Sequence, residues 1–542
     1  MTTSAYVRAA NQPPPVERYD LFSENRPLVE ALRREGAAER EEECAAFGRL
    51  CGGEPLELGR LANEHPPILR AFDRFGDRID EVEYHPAWHE LLRIGVVHGL
   101  HAFPWADTEA SAHVARAARF MTLAYAEAGV GCPLSMTYSV FPALRADATL
   151  LAEWEPLLTA RAYDPSLRPA AEKAGALAGM ALTERQGGSD VRANETHAEP
   201  LAAGGYALTG EKWFCSAPMC DAFLVLAYAH GGLTCFLLPR VLPDGERNGF
   251  RIRRLKEKLG NRSNASAEIE LEGAWAARLG DEGRGVATII EMVVHTRLDC
   301  VLGSTALMRR AVAEAAHHAA YRSAFGCLLS EQPLHLNVLA DLCLDSEAST
   351  ATTLRLARAV DDGDHAFRRL ATTVSKYWIC KATPPLVAEA LECIGGNGYV
   401  EESALPRLYR ESPLNSLWEG AGNVNALDLL RAASKEPESV DALLEEIGRA
   451  EGEDARLDAA AGRLRHELAD DEELEVRARR IVELAALCLQ GSLLVRHAPH
   501  DVADAFCATR LGGEGGRAYG TLPRGVDCAA IVERHRPKLE AE

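Results

Sequence analysis

The sequence predicts a mainly α-helical chain with a central antiparallel β domain, and three observations carry that prediction. Residues 41–180 place apolar side chains at three- and four-residue spacing, most clearly in the alanine-rich stretch 112–128, with Pro133, Pro142 and Pro156 marking connections. After Gly179 the pattern changes. Short apolar runs at 205–208, 223–228 and 235–238 are bounded by glycine, proline or aspartate, and 267–272 alternates strictly, as strands do. A helical pattern returns at Val286 and continues toward Arg322, long enough to cross a domain, and 332–359 and 367–394 follow in kind.

At 542 residues the chain exceeds one simple core. The expected division is 1–180, a helical domain with a leading arm; 181–284, the β domain; 285–435, a four-helix bundle; and 436–542, a further helical segment broken by Leu511-Gly512-Gly513-Glu514-Gly515-Gly516. The polar start with Pro13-Pro14-Pro15 has no apolar core of a secretory signal. The longest apolar stretch, 481–495, carries Glu483 and Gln490 and reads as a buried helix, not a membrane span. Fourteen scattered cysteines without a C-x-x-C pair suggest reduced thiols in a cytoplasm. A formal net charge of −21 argues against broad nucleic-acid binding.

Four segments carry candidate chemistry. Leu-Trp-Glu-Gly at 417–420 puts Glu419 in an apolar-aromatic setting, where desolvation raises a carboxyl's pKa and makes it a usable base. A surface glutamate with a packed stem is the plainer reading. In Leu-Thr-Glu-Arg-Gln-Gly-Gly-Ser-Asp (182–190), glycines allow close backbone approach, and Thr183 and Ser189 can donate to a flavin ring or pyrophosphate; a polar turn is the alternative. In Gly-Glu-Lys-Trp-Phe-Cys-Ser (210–216), Trp213 can wall an isoalloxazine and Ser216 can bond it, or the tryptophan is simply core. Arg-Ser-Ala-Phe-Gly (322–326) completes the ordered set. Gly395-Gly396-Asn397-Gly398 is a phosphate-cradling loop or a helix C-cap. His85 and His89 lack a third metal ligand, and Pro86 marks a helix start, so no metal site is expected.

In order and spacing these segments resemble the flavin-dependent acyl-CoA dehydrogenases over roughly 60–435. Within that family the chain is most similar to the AidB-type branch, the bacterial adaptive-response proteins linked to DNA alkylation. That narrower likeness rests on Leu58–Asn63, His85–His89, Thr183–Asp190 and Lys258–Ser266, and on the tail beyond 435. The resemblance implies a helical domain, a β barrel or sandwich and a four-helix bundle, plus an extra C-terminal helical domain. FAD is the implied cofactor. Leu182, Thr183, Ser189, Trp213, Phe214, Cys215 and Ser216 would contact it, with Leu417, Trp418, Gly420 and Asn423 around the base. Arg322, Phe325 and Gln332 would reach a neighbouring subunit's FAD, and Gly395 and Gly396 its adenylate end, which implies a homotetramer built as a dimer of dimers. Glu419 matches the catalytic base that takes an α-proton from an acyl thioester, with Arg297 at the substrate. Some relatives carry the base just before that arginine, where this chain has Thr296. Glu392, Ala421 and Cys215 depart from the family's usual glutamine, threonine and threonine, so restricted turnover is expected.

The same branch implies double-stranded DNA as a partner, with Arg431, Arg510, Arg517 and Arg524 as candidates. Residues 436–542 hold 14 Lys+Arg against 23 Asp+Glu, a net −9 that disfavours phosphate contact. Pairing of these arginines with nearby acids is at least as good a reading.

Overall fold

The computed structural model describes residues 11–107 and 109–539; the first ten residues of the expected arm lie outside that range. The chain forms two compact units. One holds Glu54–Gly303 with Trp418–Ala421, the other the chain up to Gly53 with Ser304–Leu417 and Gly422 onward.

In the first unit, helices Glu54–Glu64, Pro86–Val97, Ala112–Ala126, Gly131–Leu144 and Ala148–Leu158 precede a β sheet. Pro86 occupies the first turn as read from sequence, and the His85 ring caps it by accepting from Ala87 N at 3.2 Å. Asp147 caps Ala148–Leu158 by accepting from Thr149 N and Leu150 N at 2.9 and 3.0 Å. Ala112–Ala126 is buried almost all round, because its alanines admit neighbours closely. Its buried Arg116 is forked onto Asp299 at 2.7 and 2.8 Å. A hairpin, β1 (Ile68–Phe72) with β2 (Arg78–Glu83), lies inside the stretch expected to be helical.

The sheet comprises β3 (Ala178–Ala181), β4 (His197–Pro200), β5 (Tyr206–Ser216), β6 (Ala222–Ala229), β7 (Gly232–Pro239), β8 (Phe250–Leu255) and β9 (Ser266–Leu279). Pairings run β6–β4–β5–β9–β7 and return to β6, closing a barrel, with β3 on β6 and β8 on β9. The ladders are antiparallel except for β3–β6 and a single β4–β6 bridge, which are parallel. The continuous apolar run in β6 is buried from Ala222 to Ala227, as a strand covered on both faces requires.

The second unit is helical. It contains Arg26–Arg34, Glu41–Cys51, the later part of Gly285–Tyr321, Pro333–Asp361, His365–Ile394 and Gly422–Lys435, then Pro437–Gly448, Ala455–Ala469, Leu474–His497 and Cys528–His535. Ionic contacts dock its C-terminal part on Pro333–Asp361. Arg510 meets Asp341 at 2.6 Å and Asp345 at 3.0 Å, and Arg534 meets Glu347 at 2.8 Å. Among the described residues no helix is long and apolar enough to cross a membrane, no set of three or more His, Cys, Asp or Glu is placed for a metal, and all fourteen cysteines are free.

Candidate active site

A buried ion pair locks two of the sequence motifs together. Lys212, fully buried in β5, donates from Nζ to Glu184 Oε1 at 2.6 Å and to the Leu226 carbonyl at 2.8 Å. Glu184 also accepts from Thr196 Oγ1 and Glu195 N. Burial alone would raise the Glu184 carboxyl, but the Lys212 charge and these donors outweigh it and hold it below its usual range. Burial pushes Lys212 down to about 8. Next to the pair, Trp213 N donates to Thr183 O at 2.8 Å. Residues 182–190 and 210–216 are therefore held at fixed register.

That clamp sets what the motifs present. Thr183 is half-buried and Ser189 exposed, and among the described residues neither hydroxyl makes a hydrogen bond. The Leu182 carbonyl accepts from Asn194 Nδ2 at 3.0 Å. Trp213 is half-buried rather than core, with Lys256 Nζ 3.5 Å and the Arg185 guanidinium 4.8 Å from its ring centroid. The β5–β9 register shifts between Lys212 and Cys215, and Phe214 is left 51% exposed. Cys215 is wholly buried, so only its main chain is available to a ligand. Ser216 Oγ is half-buried, 3.5 Å from Ser266 Oγ.

Glu419 stands in the same unit. Its φ of +57° is left-handed, a conformation disfavoured for a residue with a Cβ, and Gly420 follows at +97°. Arg297 Nε donates to the Glu419 carbonyl at 3.0 Å, so the arginine expected at the substrate also fixes the turn that carries Glu419. Cys132, at the start of Gly131–Leu144, feels the charges of Lys258 and Glu419 and interacts with the side chains of Ser216 and Asn264. Burial pushes its thiol up to about 11, with Lys258, Ser216 and Asn264 pulling it down and Glu419 adding to the rise. Lys258 Nζ donates to Asn264 O at 2.7 Å and Ser266 Oγ at 3.1 Å.

Cys132, Lys258, Asn264 and Ser266 are the residues that sequence reasoning missed. The signal was the stretch Lys258–Ser266, read there only as a mark of the branch. A second device explains Leu58–Asn63. Glu127 Oε1 accepts from Asn63 Nδ2 at 3.1 Å and Ser263 Oγ at 2.7 Å, and its Oε2 from Val130 N at 2.8 Å. A Cβ on Gly129 would fall 2.0 Å from Ser263 Oγ, so only glycine fits there. This network positions the turn that delivers Cys132. His85 and His89 are not a ligand pair: His85 caps its helix, and His89 Nδ1 lies 2.6 Å from the Tyr163 hydroxyl.

The remaining candidates lie in the helical unit. Arg322 Nη1 donates to Asn11 O at 2.8 Å, Gln332 Nε2 donates to Ala324 O at 2.9 Å, and Phe325 at the tip between them is fully exposed with φ +54°. Gly395 caps His365–Ile394 with φ +72°, as the C-cap reading expects, and a Cβ on Gly395 or Gly396 would meet nothing within 4 Å. Leu417 is exposed, and Asn423 Oδ1 accepts from Arg479 Nε at 2.8 Å. Arg510 is spent on Asp341 and Asp345, whereas Arg517 and Arg524 are exposed without a carboxylate partner among the described residues. Arg431 is mostly exposed, 3.7 Å from Asp428.

These residues fit a flavin. Two uncommitted hydroxyls, an exposed aromatic on a bulged strand, and a half-buried carboxylate on a fixed turn share one unit. Chemically, the first unit can bind a planar aromatic group and move a proton through Glu419.

The comparisons with known proteins agree. Residues 11–165 match the adaptive response protein AidB N-terminal domain, 179–274 the acyl-CoA dehydrogenase middle domain, and 283–434 the acyl-CoA dehydrogenase C-terminal domain. The chain belongs to the acyl-CoA dehydrogenase family of oxidoreductases, in its AidB-type branch. It is 45% identical over 513 residues to AidB of Escherichia coli K12, covering 93% of this chain and 94% of that protein. It is 31% identical over 492 residues to acyl-CoA dehydrogenase family member 11 of Caenorhabditis elegans, covering 83% of this chain and 79% of that protein. The crystal structure of C. elegans ACDH-11 in complex with C11-CoA superimposes with a TM-score of 0.84 at 27% identity, over 100% of this chain and 95% of that one.

Proposed function

We propose that this chain is an FAD-dependent oxidoreductase that dehydrogenates an acyl thioester, with Glu419 as the base and with restricted turnover. One observation carries the reading: Glu419 occupies a left-handed turn pinned by Arg297, in the same unit as Thr183, Ser189, Phe214 and Ser216. FAD is the cofactor of this family and supplies the hydride acceptor when bound. Leu182, Thr183, Ser189, Trp213, Phe214, Ser216 and the Cys215 main chain would hold it. Glu419 removes the α-proton of the thioester, and hydrogen bonds to the thioester carbonyl stabilise the developing enolate. Arg322, Phe325, Gln332, Gly395 and Gly396 would serve a neighbouring subunit's cofactor, which makes the working form a homotetramer in the cytoplasm. In this reading the four segments 1–180, 181–284, 285–435 and 436–542 act as domains. The test is anaerobic titration of the purified yellow protein with short acyl-CoA thioesters. Bleaching in wild type that is lost in Glu419→Gln supports the reading; no bleaching with any thioester overturns it.

A second reading is a flavoprotein of the alkylation response that associates with double-stranded DNA. The exposed, unpaired Arg517 and Arg524 favour it. The acidic tail and the committed Arg510 weigh against it. Duplex binding at physiological salt that falls on removal of residues past 435 supports it; unchanged binding, or none below micromolar concentration, rejects it.

A further inference from the structure

The helical unit holds a cavity of about 140 Å³ that the dehydrogenase reading does not use. Four helices distant in sequence wall it: Arg26–Arg34, Pro333–Asp361, Leu474–His497 and Cys528–His535, all within the second unit. An early helix and two late ones therefore meet there on a helix of the bundle. Solvent reaches the cavity, because Glu30 and His497 in its wall are exposed.

The lining has two parts. Pro27, Ala351, Leu493 and Leu494, all buried, make the apolar part. In the polar part the acceptors are used and a donor is not. Glu30 and Glu347 bracket Arg534, whose Nη1 donates to Glu30 Oε1 at 2.9 Å and whose Nε lies 3.0 Å from both Glu347 oxygens. Arg534 Nη2 donates to both carboxylates as well. Arg34 is different. Its Nε donates to Glu35 at 2.7 Å and its Nη2 to the Ala351 carbonyl at 3.0 Å, while Nη1 has no partner among the described residues. The Arg34 side chain is 18% exposed, so a ligand can reach it. His497 makes no hydrogen bond among the described residues either. Burial, then the charges of Arg34 and Arg496, push its ring down to about 4 against the pull of Glu446, so cationic charge dominates at that end. What the cavity leaves open is a guanidinium donor beside an apolar hollow.

We propose that this cavity binds a small monocarboxylic acid, with its carboxylate on Arg34 and its hydrocarbon body against Pro27, Ala351, Leu493 and Leu494. A guanidinium–carboxylate hydrogen bond is charge-assisted, and the fork geometry suits a carboxylate. An apolar cavity of about 150 Å³ takes up benzene, so an acid the size of benzoate or hexanoate suits this volume. The inference stands apart from the thioester reading. A ligand here joins the Arg26–Arg34 helix to the helices past residue 435, and so stabilises the docked tail.

The experiment is isothermal titration calorimetry of the FAD-loaded protein with benzoate, hexanoate, benzamide and benzylamine. It uses wild type, Arg34→Met and Ala351→Leu. Arg34→Met keeps an apolar stem and removes the charge, and Ala351→Leu fills the hollow without touching a polar group. Both acids should saturate wild type below about 10 mM and raise its melting temperature. Benzamide should bind at least about tenfold more weakly, and benzylamine not at all. Each variant should lose at least about tenfold in benzoate affinity, with the flavin spectrum unmoved by benzoate in all three proteins. If Arg34→Met does not fold, Ala351→Leu and the benzamide comparison decide. No saturation by either acid, benzylamine binding as well as benzoate, or an unchanged benzoate affinity in Ala351→Leu overturns the inference. So does a benzoate-induced flavin change that persists in both variants, which would put the acid elsewhere. The dehydrogenase reading survives each of these outcomes, since its own test is thioester bleaching.

Discussion

The cluster around Arg510 and the loop around Asn264 both bury polar side chains, but only the first gives each a protein partner. Asp341 and Asp345 each accept from Arg510, Asp341 Oδ2 also takes Gly520 N at 2.9 Å, and Asp345 Oδ2 takes the Tyr519 hydroxyl at 2.9 Å. Nothing remains for a phosphate or any other ligand. Asn264 is the reverse case, framed by the protein and left incomplete. The lesson is that a charged residue in a sequence says little about binding until its partners are known.

The comparison can be broken most easily at its first member. Arg510→Met should destabilise the protein by about 3–5 kcal/mol, because two carboxylates stay buried without their cation; thermal unfolding measures it. A small loss would mean that the cluster is not structural, and would return Arg510 to the DNA candidates.

His101 lies between the two cases. Its Nε2 is 3.1 Å from Ala160 O, its Nδ1 has no partner, and burial lowers its pKa to about 4. The unfolded chain binds a proton near pH 6.5 that the folded chain refuses until about 4, so stability is complete above 6.5 and falls as pH drops through that window. The loss should be about 2 kcal/mol between pH 7 and 5. Urea unfolding at both values, in wild type and His101→Asn, checks it, with the variant showing a weaker dependence.

Glu419→Gly should raise stability by about 1 kcal/mol, since glycine takes a positive φ without strain, and should abolish flavin reduction. A stability loss there would show the turn to be relaxed. The smallest effect belongs to the exposed pair. Arg517→Ala and Arg524→Ala should each stay within about 0.5 kcal/mol of wild type in unfolding, and any change should show only in the salt dependence of duplex binding.

Much of the fold was legible because burial on both faces writes continuous apolar runs, as in β6, and because glycine and proline mark boundaries, as at Pro86 and Gly395. The hairpin β1–β2 was not, since β1 has no buried position, and four of the six residues of β2 are charged. The parallel pairing of β3 with β6 was also hidden: periodicity reports which face is buried but not which strand lies alongside. At the site, Glu419 stood out through its aromatic neighbour. The Glu184–Lys212 pair and the Asn63–Glu127–Ser263 network did not, because their directly bonded members lie 28 to 136 residues apart and meet only in the fold.

The most direct measurement follows the α-hydrogens of a bound thioester in deuterated buffer by NMR, with the flavin present and oxygen excluded. Wild-type protein should wash deuterium into the α-position, and Glu419→Gln should slow this by about 100-fold or more. Equal exchange in both proteins would mean that another group moves the proton, and that Glu419 is only a strained turn residue beside an aromatic ring.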